Sequence, residues 1–111
     1  MIKLVRDGKV GVIIHAEYGG GWYTSHGSLE LLYSPTIIDL IESGKPEDLE
    51  KISEYMLTRK SNGHSLAYFG LYGATKSLEV RWIEQGSRFR VLEYDGFESI
   101  ELEHYTTWQI A

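Results

Sequence analysis

The sequence predicts an α+β fold: a mostly antiparallel sheet, formed by an N-terminal hairpin and a C-terminal three-stranded meander, covered on one face by a helical hairpin. Three observations predict it. Asp7-Gly8 divides two strand-like runs at the start of the chain, and proline-started amphipathic segments begin at Pro35 and Pro46. After His64, apolar and polar residues alternate in runs divided by Gln85-Gly86-Ser87 and Asp95-Gly96. Period-two alternation marks half-buried strands, period 3.6 marks amphipathic helices, and Asp-Gly marks a tight hairpin turn.

Ile2 to Arg6 is the first predicted strand and Lys9 to Ala16 the second. Val12-Ile13-Ile14 is continuously apolar, as expected of a central strand buried on both faces. Ser28 to Tyr33 is compatible with a short strand or a helical turn. Ser34-Pro35 has the form of a helix start, with a serine cap and proline in the first position. Ile37, Ile38, Leu40 and Ile41 give that helix its apolar face, and Gly44 is its stop. Pro46 opens the second helix, whose Glu47 and Asp48 lie in the first turn. Leu49, Ile52 and Met56 form its buried stripe, and Lys60 to Gly63 ends it. Leu66 to Phe69 is a short predicted strand, followed by a glycine-containing loop. Leu78, Val80 and Trp82 alternate with Glu79 and Arg81. Phe89 to Tyr94 and Phe97 to Glu103 complete the meander, with Ile100 and Leu102 opposed to Ser99, Glu101 and Glu103. The tail from His104 to Ala111 carries Tyr105, Trp108 and Ile110 and is expected to pack on the domain or on a second subunit.

At 111 residues, with 42% hydrophobic and 13% aromatic content, the chain fits one domain, 1–111, with a packed core. It has no apolar run near the ~18 residues of a membrane span, and its N-terminus lacks a signal-peptide pattern. The absence of cysteine excludes disulfides, thiol catalysis and cysteine-ligated zinc. A cytoplasmic location is the resulting expectation. The net charge of −5 argues against broad binding to a nucleic-acid backbone.

The unusual residues concentrate between His15 and Gly27, in HAEYGGGWYTSHG. Gly19, Gly20 and Gly21 open the backbone to close approach, and Tyr18, Trp22 and Tyr23 add flat apolar area with polar tips. Thr24, Ser25 and His26 follow. Backbone N–H groups here could cradle an anion, Trp22 or Tyr18 could stack on a base, and Arg88 and Arg90 could assist by clamping a phosphate or carboxylate. The alternative is a tight connection whose aromatics fold onto the sheet. The loop is no P-loop, since Gly-Lys-Ser/Thr is missing, and no dinucleotide fingerprint. His15, His26, His64 and His104 lack metal-ligand spacing, so no metal or cofactor is predicted. Glu93, Asp95, Glu98, Glu101 and Glu103 are expected on a solvated face, paired across strands with Arg81, Arg88 and Arg90.

The stretch EYGGGWYTSHG resembles a Gly-x-Gly-Trp-Tyr-Thr element of small uncharacterised proteins from bacteriophages and large DNA viruses. RWIEQGSRFRVLEYDGFESIEL is similar to the later part of the same proteins, with its Trp, Gly turn, Phe-Arg strand and Tyr-Asp-Gly-x-Glu turn. The resemblance implies a viral or phage accessory protein that binds something belonging to its host, in the host cytoplasm, and it implies no catalytic activity.

Two functional expectations follow. One is non-enzymatic capture of a small anionic molecule, such as a nucleotide sequestered for counter-defence. The site would be Tyr18, Gly19, Gly20, Gly21, Trp22, Tyr23, Thr24 and His26, assisted by Arg88 and Arg90. The other is a protein-interaction module using the same aromatic surface against a host protein or a second copy in a homo-oligomer. An acid–base hydrolase using a Glu or His near the loop is a distant third, because no nucleophile or paired-acid context supports it.

Overall fold

A computed structural model describes residues 2–18, 21–26, 28–57, 60–61, 64–65 and 77–103. Strands β1 (Val5–Arg6) and β2 (Lys9–His15) form the expected hairpin. Asp7 and Gly8 take positive φ values of 50° and 75°. That is the backbone a two-residue hairpin turn requires, which is why Asp-Gly is favoured there. Leu78–Glu84, β5, lies antiparallel along the whole of β2, from Lys9↔Glu84 to His15↔Leu78. β2 is therefore central in the order β1-β2-β5. Val12, Ile13 and Ile14 are buried as their apolar run predicts.

The α+β class is as expected, but the last three strands do not form one continuous meander. β5 joins β2, while β6 (Phe89–Tyr94) and β7 (Phe97–Leu102) form a separate antiparallel hairpin. A strand as apolar as β2 needs a ladder on both sides, since unpaired buried backbone groups are costly. β5 supplies the full-length ladder on one side of β2, while on the other side the two-residue β1 pairs only with Lys9 and Val10.

The helical hairpin is present. In α3 (Pro35–Ser43) the Ser34 hydroxyl accepts the Ile37 N–H at 3.3 Å. Gly44 closes the helix with φ 68°, donating its N–H to the Ile41 carbonyl. α4 runs Pro46–Leu57. The ambiguous stretch resolves as a helical turn, α2 (Leu29–Tyr33), preceded by the short α1 (Tyr23–His26), which the sequence reading missed. Lys60–Ser61, within the run expected to end the helix, pairs as the short strand β3 with β4 (His64–Ser65). The predicted strand 66–69 and the tail 104–111 lie outside the described residues.

β2 separates two apolar clusters. Ile13 packs with Trp22, Leu31, Ile37, Ile38, Ile52 and Leu78, flanked by Val80 and Trp82. Val12 packs with Leu32, Tyr33 and Ile83, flanked by Phe89, Val91 and Ile100. The helical hairpin thus covers one face of the three-stranded sheet and the β6–β7 hairpin leans on the other.

Gly11 makes the helical layer's close approach possible. A Cβ there would lie 2.9 Å from Cδ1 of the fully buried Ile38 and 3.1 Å from the Trp82 ring. Gly11→Ala is expected to destabilise the protein by about 1–2 kcal/mol through overpacking. A urea titration would measure it, and a midpoint equal to the parent's would refute the steric argument.

Candidate functional site

The glycine loop is organised by a residue outside it. Asp95 and Gly96, with φ of 50° and 86°, make the turn between β6 and β7. Alternation from that turn divides β7: Glu98 and Ile100 face inward, while Phe97, Ser99 and Glu101 face outward. Glu98 is fully buried. Its Oε1 accepts the His15 N–H at 2.9 Å. Its Oε2 accepts the Thr24 N–H at 2.7 Å, the Thr24 hydroxyl at 2.6 Å and the Trp22 N–H at 3.3 Å. The expectation that Glu98 lies on a solvated face is thus corrected. A buried carboxylate is tolerated only when its lone pairs are well supplied with donors, and this one is.

The same geometry alters the reading of the loop. The backbone donors of Trp22 and Thr24 already bind an anion, and that anion belongs to the protein's own β7. Trp22 is fully buried in the helical cluster, with its indole N–H donating to the Leu31 carbonyl at 2.7 Å. Its ring is core rather than a face offered for stacking. Gly21 is buried with φ 71°, a conformation glycine adopts without strain. Tyr23 is half-buried and touches both clusters. Gly19, Gly20 and the His26 side chain lie outside the described residues.

Arg88 and Arg90 are not brought to the loop. Arg88 pairs with Glu103 at 3.0 Å and Arg90 with Glu101 at 2.6 Å, all exposed, toward the opposite end of the hairpin from Glu98. Arg81 pairs with Glu79 on its own strand. The cross-strand account of Arg88 and Arg90 holds, whereas the anion clamp has no geometry. His15 is buried too, and its Nδ1 lies 3.0 Å from the Gly96 carbonyl. A carbonyl only accepts, so Nδ1 carries the proton. Glu17 accepts a hydrogen bond from Ser77. Among the described residues no group of three or more His, Asp or Glu is placed to hold a metal ion.

Among the described aromatic residues of the loop, Tyr18 is the exposed one. Its ring, 64% exposed, meets Tyr94 edge-on at 6.3 Å between centroids and Phe97 at 5.4 Å. Tyr94 and Phe97 flank the Asp95-Gly96 turn and pair directly across it, which puts both on the outer face. Tyr94 is 76% exposed, Phe97 37% and Leu92 38%. Together with Glu93 and Ser99 these residues line an open depression of about 500 Å³. Tyr94, Phe97 and Leu92 were not among the sequence-predicted site residues. The available signal was the position of Tyr94 and Phe97 on either side of an Asp-Gly turn, which forces them onto one face. Compared with protein-family models, curated proteins and solved structures, the chain gives no match.

Proposed function

We propose that the protein is a non-enzymatic interaction module that docks a protein partner on the surface formed by Tyr18, Leu92, Tyr94 and Phe97. The observation that carries this reading is the contiguity of four exposed apolar side chains, with the Tyr18 ring in contact with those of both Tyr94 and Phe97. Exposed apolar clusters of this kind mark interaction sites, and tyrosine is enriched where binding energy concentrates. Anchorage supports the reading as well. The loop bearing Tyr18 is held through Glu98 by the same hairpin that bears Tyr94 and Phe97. Little ordering entropy is then lost when a partner arrives.

The resemblance to phage and viral accessory proteins supplies the setting, a host protein met in the host cytoplasm. Capture of a small anion by the loop is less well supported, since its Trp22 and Thr24 donors are engaged by Glu98. Self-association through the patch is disfavoured by charge: Glu93 and Asp95 flank Tyr94, and a symmetric contact would bring like charges together.

Tyr18→Ser/Tyr94→Ser tests the reading. Both residues are exposed, so stability should stay within about 0.5 kcal/mol of the parent. Retention of host proteins from lysate should fall by about tenfold or more, the scale of losing a tyrosine hot spot. Undiminished retention would refute the docking surface. A rise in melting temperature with nucleotides that survives the double substitution would return the function to small-anion capture.

A further inference from the structure

The patch has a charge character that specifies its partner. Glu93 uses one carboxylate oxygen to accept the Gly96 N–H at 2.5 Å, and its other oxygen makes no hydrogen bond or ion pair among the described residues. Asp95, at the tip of the turn between Tyr94 and Gly96, is exposed and likewise makes none. Glu17 adjoins Tyr18 in the chain. The cations on this hairpin, Arg88 and Arg90, are paired with Glu103 and Glu101 at its other end. Exposed aromatic faces therefore sit beside uncompensated carboxylates, in a chain of net charge −5.

That pairing of surfaces suits a guanidinium. Its flat, weakly hydrated face stacks on an aromatic ring while its edge donates to carboxylate oxygens in a fixed fork. Lysine can supply the charge but neither the stacking plane nor the fork. We infer that the partner presents an arginine on a basic segment to this surface, laid against Tyr18 and Tyr94 and bonded to Glu93 and Asp95. The inference rests on the patch being the docking surface and adds the chemistry of what docks.

A fluorescent peptide of alternating Arg and Gly, with Lys and Glu counterparts of equal length, tests it by anisotropy at physiological salt. The Arg peptide should bind saturably and more tightly than the Lys peptide, and the Glu peptide should not bind. Glu93→Gln/Asp95→Asn and, separately, Tyr94→Ser should each weaken the Arg peptide by about fivefold, the scale of an exposed cation–π contact or of a rim charge pair. Glu47→Gln/Glu50→Gln on α4 removes equal charge from the helical layer and should leave affinity unchanged. Equal loss in that control, equal affinity of Arg and Lys peptides, or no binding of the Arg peptide would overturn the inference. Host-protein retention lost in Tyr18→Ser/Tyr94→Ser but intact in Glu93→Gln/Asp95→Asn would overturn the arginine and leave the docking surface standing. Retention intact in both would overturn both.

Discussion

Glu98→Ala is expected to cost about 3–5 kcal/mol of stability, the range reached when several buried polar groups lose their partner together. The substitution strips the acceptor from the N–H groups of His15, Trp22 and Thr24 and from the Thr24 hydroxyl. Water cannot replace it without opening the junction between β2, the glycine loop and the β6–β7 hairpin. Glu98→Gln should lose less, about 2–3 kcal/mol, because its carbonyl oxygen can still serve the Trp22 and Thr24 donors. Its NH₂ group, however, would then face the His15 N–H, donor against donor. Urea titrations of both variants would measure the order parent, Gln, Ala. A Glu98→Ala protein within about 1 kcal/mol of the parent would remove the carboxylate from its structural role. Because that carboxylate also fixes the loop that carries Tyr18, the Gln variant should weaken partner binding along with stability.

The elements with strong local chemistry were legible from the residues alone. Ser34-Pro35 and Gly44 announce the ends of α3, Asp7-Gly8 and Asp95-Gly96 announce hairpin turns, and Val12-Ile13-Ile14 announces a central strand. Strand partnership was not legible in the same way. Gln85-Gly86-Ser87 reverses the chain equally well whether β5 pairs with β6 or with β2. The choice is made by the apolar demand of β2, which lies far from β5 in sequence. α1 was hidden for a related reason: four residues inside a glycine-rich loop carry no periodicity, and the donors at its start are satisfied by Glu98 from a distant strand.

The candidate site was half legible. The alternation that correctly turned Ile100 inward also turns Glu98 inward and Phe97 outward, since successive strand side chains change face. The general habit of carboxylates to be solvated outweighed that local rule, and here the local rule was the better guide. What no sequence rule supplied was the destination of the loop's N–H groups. A glycine loop able to cradle an anion looks the same whether the anion is a ligand or a carboxylate held more than seventy residues away.

Trp22→Ala separates the two fates of that loop directly. If the indole were a ligand platform, truncating it would leave the fold intact and remove binding. Its complete burial among Ile13, Leu31, Ile37, Ile38, Ile52 and Leu78 requires the opposite. A loss of about 3–5 kcal/mol is expected, as for other buried Trp truncations, because so large a ring leaves a cavity the surrounding helices cannot fill. Trp22→Phe should cost less, about 1–3 kcal/mol, keeping most of the apolar volume but losing the indole bond to the Leu31 carbonyl. Thermal melts of both variants beside Tyr18→Ser provide the contrast, since Tyr18 is exposed in the same loop. Severe destabilisation at Trp22 with near-parent stability at Tyr18 is the expected pattern. Its reversal would return Trp22 to the surface. Trp22 and Tyr18 therefore divide by burial: Trp22 turns inward and closes the core, while Tyr18 stays at the surface.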